Sequence, residues 1–115
     1  MNSKEIAKTA YTALDEKKAV DIRIIDISRI SVIADYFIIA GAGNEKQVKA
    51  LADNVEEKLG RAGCTPKGVE GYQSANWILM DYTDVIIHIF NQEQRLFYDL
   101  ERIWTEGNII EADTL

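Results

Sequence analysis

Apolar side chains recur at helical spacing in two segments of the chain. The first repeat begins after Ser3, which is placed to cap a helix, and the second follows Asn44 and Gln47, whose spacing is that of a capping box. Gly63 and Pro66 are typical of residues that end a helix. The pattern therefore predicts two amphipathic helices. Their apolar positions are Ile6, Ala10, Ala13, Leu14, Val48, Leu51, Ala52, Val55 and Leu59.

Strand patterns occupy the segments between and after these helices. Apolar and charged residues alternate over 20–27, which indicates a strand with one buried face. Residues 35–40 are almost all apolar, as is typical of a central strand covered on both faces. A short strand is predicted within 67–70, and two strong strand patterns follow at 76–80 and 85–90.

The C-terminal part of the chain predicts a third helix and a tail. The helix begins near Gln92, and the polar tail begins at Gly107. The helix would cover the sheet with Leu96, Phe97, Leu100, Ile103 and Trp104. The order of the elements predicts an α/β (α+β) fold, in which helices pack on a single mixed β-sheet of about five strands. We expect one domain over residues 1–106 and a flexible tail over 107–115.

The composition narrows the class of protein. A chain of 115 residues has the length of one domain, and its single Cys64 cannot form an internal disulfide. No apolar run reaches the roughly 18–20 residues of a membrane span. We expect a soluble cytoplasmic protein that has no membrane segment.

The net charge of −6 is unevenly distributed along the chain. Residues 1–67 hold 11 Lys+Arg and 10 Asp+Glu, whereas residues 68–115 hold two arginines and nine acids. Because phosphate binding needs clustered cations, we do not expect direct binding of nucleic acid. The acidic part either binds a basic partner or only keeps the surface solvated, and the charge alone leaves both interpretations open.

Three polar side chains are candidates for chemistry, namely Asp81, Asp84 and His88. Two-metal catalysis needs carboxylates that face the same ions, but these aspartates flank a predicted turn, where Asp is favoured for turn hydrogen bonds alone. Zinc usually takes several His or Cys ligands, and the chain has one of each, far apart in sequence. The glycine-containing segment 41–44 matches neither phosphate-binding motif. We therefore expect no catalytic residue, no metal and no cofactor.

The two strong strand patterns predict a hairpin with two different faces. If Tyr82 and Thr83 form its loop, Trp77 pairs with His88 and Leu79 pairs with Ile86. One face is aliphatic and must be core: Ile78, Met80, Val85, Ile87 and Ile89. The other face carries Trp77, Leu79, Asp81, Asp84, Ile86, His88 and Phe90. It is either a protein-binding patch with aromatic anchors or a second face covered by a helix.

Five short motifs follow one another along the chain. They are ADYFIIA at 34–40, EG at 70–71, WILMDY at 77–82, DVIIHIF at 84–90 and RLFYDLE at 95–101, and Trp104 comes after them. In this order and spacing they resemble the ribosomal silencing factor family, also called Iojap-like proteins. The resemblance spans residues 3–106 and implies a nucleotidyltransferase-like topology without enzymatic activity.

The resemblance also implies a function. Members of this family bind the large ribosomal subunit through ribosomal protein L-fourteen, obstruct joining of the small subunit, and so lower translation when nutrients are scarce. Homodimers are also a property of the family. The alternatives are a factor for biogenesis of the large subunit, a role associated with organellar relatives, and, from another class, a nucleotidyltransferase-like enzyme.

From these motifs we predict a partner-binding set. Trp77 and Phe90 would be its apolar anchors, together with Leu79 on the same hairpin face. The acids Glu70, Asp81 and Asp84 would complement a basic partner. Tyr82 and His88 would supply hydrogen bonds, and Tyr98 and Glu101 would extend the patch. The hairpin departs from the family at its tip, where position 83 is Thr and the family often has Gly. We therefore expect a tip of different shape.

Overall fold

The computed structural model describes residues 1–29, 31–92, 108–110 and 115. It contains helices α1 (Ser3–Glu16) and α2 (Glu45–Arg61). The strands are β1 (Val20–Asp26), β2 (Tyr36–Ala42), β3 (Gly68–Glu70), β4 (Trp77–Asp81), β5 (Val85–Asn91) and β6 (Asn108–Ile110). The helix predicted from Gln92 onward, with its apolar residues 96–104, lies outside the described residues apart from Gln92 itself.

The strands form one mixed sheet in the order β3-β4-β5-β2-β1-β6. β2 and β5 are parallel, and every other neighbouring pair is antiparallel. The predicted fold class, a mixed sheet with helices packed on it, is confirmed. The structure adds a strand to the predicted five, because Asn108–Ile110 of the expected flexible tail pairs with β1. The nucleotidyltransferase-like topology stays a prediction.

Side-chain caps explain where the two helices begin. The Asn2 Oδ1 atom accepts a hydrogen bond from the Glu5 amide at 2.9 Å, so the cap of α1 is Asn2 and not the predicted Ser3. The predicted cap of α2 is confirmed, since Asn44 Oδ1 accepts from the Gln47 amide at 2.8 Å. Each cap satisfies one of the backbone donors that a helix start leaves unpaired.

Both helices pack on one side of the sheet and enclose the main core. The Asn54 side chain of α2 donates to the Ala13 carbonyl oxygen of α1 at 2.7 Å, which ties the two helices together. All seven residues of β2 are buried, as the apolar pattern predicts for a central strand. A smaller apolar cluster lies on the opposite side of the sheet and consists of Ile25, Ile27, Ala34, Phe37, Ile39 and Phe90.

The β4–β5 hairpin differs from its predicted register. Trp77 pairs with Phe90 and Leu79 pairs with His88, so the predicted pairs of Trp77 with His88 and Leu79 with Ile86 are wrong. The loop lies one residue further along the chain than predicted, because the Tyr82 amide donates to the Val85 carbonyl oxygen at 2.9 Å and closes the ladder. This moves every pairing by two positions, so each side chain stays on its predicted face.

The hairpin tip is a tight turn centred on Thr83. The Asp84 amide donates to the Tyr82 carbonyl oxygen at 2.9 Å, and Thr83 has φ 72°, which together describe a γ-turn. The Asp81 carboxylate accepts a hydrogen bond from the Thr83 amide at 2.8 Å and holds the turn. A side chain is strained at this φ, and glycine is not. The different tip shape expected from Thr83 stays a prediction.

We expect Thr83→Gly to raise the free energy of unfolding by about 1 kcal/mol. The left-handed conformation of a residue with a side chain costs about 1–3 kcal/mol, and the extra backbone entropy of glycine offsets about 0.5–1 kcal/mol of the relief. Urea unfolding followed by circular dichroism measures the change. Thr83→Ala keeps the Cβ and is the matched control, which should show no such gain; an equal gain in both variants would contradict the strain.

Candidate functional site

The two faces of the hairpin have the environments that their side chains require. The aliphatic face is confirmed as core, because all of its side chains are fully buried beneath the helices: Ile78, Met80, Val85, Ile87 and Ile89. The alternate residues point to the other side of the sheet. We call this side of the hairpin the aromatic face and define it by Trp77, Leu79, Asp81, Ile86, His88 and Phe90.

The strand register arranges the aromatic face in rows across the sheet. Glu70 of β3 lies opposite Leu79, which lies opposite His88. The row on one side of it joins Asp81 to Ile86, and the row on the other side joins Trp77 to Phe90. The structure therefore brings the predicted Glu70 and most of the predicted hairpin residues onto one continuous surface.

Burial increases from the sheet edge toward its centre. Glu70 is exposed at the edge, and Trp77, Leu79 and Asp81 are half-buried on the next strand. His88 is only 4% exposed and Phe90 only 1%. The inner residues of this face are therefore covered, and its outer residues reach solvent; the binding role of the outer residues stays a prediction.

Trp77 is held by an aromatic cluster. Its ring stacks on Phe90 with centroids 5.1 Å apart, and its Nε1–H donates to His88 Nδ1 at 3.0 Å. The His88 ring in turn meets the edge of Phe37, with centroids 5.0 Å apart. These contacts fix the orientation of the indole before any partner is bound.

The hydrogen bond from Trp77 also defines the state of His88. Because Nδ1 is an acceptor, the neutral ring carries its proton on Nε2, and that buried N–H has no hydrogen-bond partner among the described residues. Burial lowers the pKa of His88 to about 4, since a charged imidazolium would lose its hydration there. His88 is therefore a neutral support for Trp77 at physiological pH.

The predicted site residue Tyr82 does not join this face. Its side chain lies on the helix side of the sheet and is 4% exposed, and its hydroxyl has no hydrogen-bond partner in the part of the chain that the structure describes; burial raises the pKa of Tyr82. The residue follows Ile78 and Met80 in the alternation, so it belongs to the core side. Tyr98 and Glu101 lie outside the described residues.

Acidic groups border the aromatic face near the hairpin tip. Asp84 is exposed, and its carbonyl oxygen accepts hydrogen bonds from the amides of Asp35 at 2.8 Å and Tyr36 at 3.2 Å. Within the described ranges, none of Glu70, Asp81 and Asp84 forms an ion pair. The same part of the chain contains no cluster of three or more His, Cys, Asp or Glu side chains suited to a metal ion.

Sequence reasoning missed Gly71 as a site residue. Gly71 has φ +82°, and a Cβ at this position would collide with the carbonyl oxygen of Trp77. Together with Glu70, Trp77 and Leu79 it lines a surface cavity of about 250 Å³. The Glu-Gly pair was visible in the sequence, but the backbone contact that requires the glycine depends on the fold.

The loop between β1 and β2 also carries exposed apolar groups that the pattern did not single out. Val32 is 105% exposed and Ile33 is 65% exposed, whereas Ile27 and Ala34 on either side are buried. This loop meets the hairpin tip through the Asp35–Asp84 hydrogen bond. No helix among the described residues is long and apolar enough to cross a membrane.

Comparison with known proteins identifies the relatives of this chain. The family model described as ribosomal silencing factor during starvation matches residues 1–115. A ribosomal silencing factor of Bacillus subtilis is 38% identical over 113 residues, covering 98% of this chain and 96% of that protein. A crystal structure of a Chromobacterium violaceum protein superposes with a TM-score of 0.88 at 38% identity, covering 91% of this chain and 88% of that one.

A more distant relative has a different name. The mouse protein called mitochondrial assembly of ribosomal large subunit protein 1 is 25% identical over 95 residues. The match covers 80% of this chain and 42% of the mouse protein. The resemblance inferred from the sequence motifs is therefore confirmed at the level of the family.

We expect the stability of the protein to fall as the pH drops from about 6.5 to about 4. The unfolded chain takes up a proton at His88 near the ordinary pKa of about 6.5, and the folded chain does so only near the lowered value of about 4. The unfolding equilibrium constant should therefore rise by up to about tenfold for each pH unit that the pH falls within this window. Below a pH of about 4, the protonation of His88 should raise it no further. Urea unfolding at several pH values measures the slope.

His88→Gln is the matched variant for this measurement, since it keeps a polar side chain and removes the titrating ring. His88 is the only histidine of the chain, so the variant should lose most of the slope between pH 6.5 and 5. Equal slopes in the two proteins would show that His88 is not buried in the neutral form.

Proposed function

Because this chain belongs to the ribosomal silencing factor family, we propose that it is a translational repressor that acts by occupying the large ribosomal subunit. In this proposal it binds through ribosomal protein L-fourteen and sterically blocks joining of the small subunit when nutrients are limiting. The name of the Bacillus subtilis relative supports a ribosome-associated silencing role.

The aromatic face is the observation that carries the proposal. Interfaces have aromatic anchors at the centre and polar groups at the rim. Here Trp77 and Leu79 are half-buried at the surface, Phe90 lies beneath the indole, and the bordering carboxylates have no ion partner among the described residues. Ribosomal proteins are typically basic, so this acidic border has the charge that such a partner would select.

The proposed mechanism needs no chemical step. The folded protein measures 33 × 33 × 25 Å, and a body of this size on the intersubunit surface would occupy space that the small subunit must enter. We therefore propose that the protein is not an enzyme and uses no metal or cofactor. Repression would then depend only on the fraction of large subunits that are occupied.

Assembly of the large subunit is the second candidate function. The name of the mouse relative favours it, and the same acidic and aromatic surface would serve an assembly factor equally well. A homodimer is also proposed from the family. The two functions differ in their target, because a repressor acts on finished subunits and an assembly factor acts on unfinished ones.

We expect the protein to keep purified ribosomal subunits apart. When it is added to finished large and small subunits at fixed Mg²⁺ and salt, a sucrose gradient should show fewer joined ribosomes and more separate subunits. The protein should sediment with the large subunit only. An unchanged gradient despite such co-sedimentation would contradict steric blocking and favour the assembly function.

We expect Trp77→Ala to weaken binding to the large subunit by about 30- to 1,000-fold. A central aromatic anchor contributes about 2–4 kcal/mol, and each 1.4 kcal/mol corresponds to about a factor of ten in affinity. Co-sedimentation over a range of protein concentrations measures the loss, and circular dichroism verifies that the variant is folded.

Tyr11→Ala is the matched control for the Trp77 variant. Tyr11 is also a half-buried aromatic residue, but it lies on α1, on the opposite side of the sheet. Its loss should lower stability without lowering affinity for the subunit. If a folded Trp77→Ala protein bound as tightly as the wild type, the aromatic face would not be the binding site.

A further inference from the structure

We propose that the cavity between Glu70 and Trp77 is a subsite for one arginine side chain of the partner. This inference rests on the proposed function, because it assigns the part of the partner that the aromatic face recognises. The cavity lies at the sheet edge, has a volume of about 250 Å³, and is lined by Glu70, Gly71, Trp77 and Leu79. It is separate from the buried centre of the face at His88 and Phe90.

The backbone builds this cavity from two adjacent strands. Glu70, the last residue of β3, pairs directly with Leu79 of β4, so their side chains lie side by side on the aromatic face. Trp77 precedes Leu79 by two residues and projects to the same side. Gly71 leaves the space beside Trp77 open, because its backbone lies so close to the Trp77 carbonyl oxygen that no side chain fits.

The chemistry of the lining favours a cation with an apolar stem. Leu79 and the indole of Trp77 offer apolar walls, and the exposed carboxylate of Glu70 stands at the rim. Arg and Lys side chains bury their methylene stems along apolar surfaces while the charged end stays near water. An aromatic ring beside a carboxylate is a favourable site for such a charged end.

The chain segment that forms this region carries no cation of its own. Residues 68–92 contain no Lys and no Arg, and they hold three acids, Glu70, Asp81 and Asp84. Among the described residues, no cation lies within ion-pair distance of Glu70. The charge is therefore complementary to a basic partner, and the acids disfavour a phosphate-rich one.

Arginine fits this lining better than lysine. Its guanidinium is planar, stacks on aromatic rings, and can donate two parallel N–H bonds to one carboxylate. It is also more weakly hydrated than an ammonium group, so it loses less on entering a half-buried cavity. We therefore assign the subsite to arginine, with the guanidinium between the Trp77 indole and the Glu70 carboxylate.

A small probe tests the subsite without the ribosome. N-acetyl-arginine amide is titrated into the ¹⁵N-labelled protein, and the backbone amide resonances are followed by NMR. We expect saturable shifts at Glu70, Gly71 and Leu79. N-acetyl-citrulline amide has nearly the same shape without the charge and should bind at least about fivefold more weakly, and the lysine analogue should lie between the two.

Glu70→Gln should reduce the affinity for the arginine probe at least about fivefold, because it removes the charge and keeps the shape. Glu56→Gln is the matched control, since Glu56 is an exposed acid of α2 on the other side of the sheet. The subsite is overturned if the shifts do not saturate, if citrulline binds equally well, or if Glu70→Gln binds the probe like the wild type.

The same two variants are then compared for binding to the large ribosomal subunit at low salt. Glu70→Gln should bind at least about fivefold more weakly than Glu56→Gln, and the difference should shrink as salt is added. If the wild type does not bind the subunit at all, the proposed function fails, and the arginine titration still decides the subsite. If the wild type binds and the two variants bind alike, the partner does not use this subsite and the proposal is overturned.

Discussion

The parallel pairing of β2 with β5 determines the arrangement of the other elements. Seven residue pairs join these strands, from Tyr36–Val85 to Ala42–Asn91, at the centre of the sheet. A parallel pair cannot be closed by a short hairpin, so the chain between them must leave the sheet and return. It leaves through α2, which packs with α1 on one side of the sheet. The alternate residues of the β4–β5 hairpin therefore form the opposite side of the sheet.

Two buried polar atoms show where the fold carries an energetic cost. Within the described ranges, the hydroxyl of Tyr82 and the Nε2–H of His88 have no hydrogen-bond partner, and a buried group of this kind costs about 1–3 kcal/mol. At His88 the cost accompanies a second role, since the ring's other nitrogen accepts the hydrogen bond that orients Trp77. At Tyr82 the structure shows no comparable compensation.

Alternation was the part of the structure that the sequence predicted best. The faces of β4 and β5 follow from the two-residue period, which is unaffected when the pairing moves by two positions. The register depended on the turn, and the strained conformation of Thr83 leaves no mark in the hydrophobic pattern. The same one-residue displacement of the loop explains why Tyr82 was wrongly predicted to lie at the surface. Its side chain continues the core side of β4.

The degree of burial of each site residue could not be predicted, because it depends on contacts with residues that are distant in sequence. Phe90 is buried against Phe37, Ile39 and the residues of the β1–β2 loop, none of which is its neighbour along the chain. Gly71 is required by one carbonyl oxygen six residues later, a contact that exists only once β3 and β4 have paired. Periodicity identifies the face of a strand, whereas the accessible part of that face is decided by the completed sheet.

The graded burial of the aromatic face separates two contributions to the binding that we propose for it. Exposed carboxylates at the edge act at a distance and select the charge of the partner, but they remain hydrated and add little affinity. In the proposed interface, Trp77 and Leu79 would lose water only on contact and would contribute most of the binding free energy. Because stacking on Phe90 and the hydrogen bond to His88 already hold the indole, binding does not have to order it. If the proposed interface is correct, an acidic protein recognises a basic component of a nucleic-acid machine while its own charge disfavours contact with the nucleic acid.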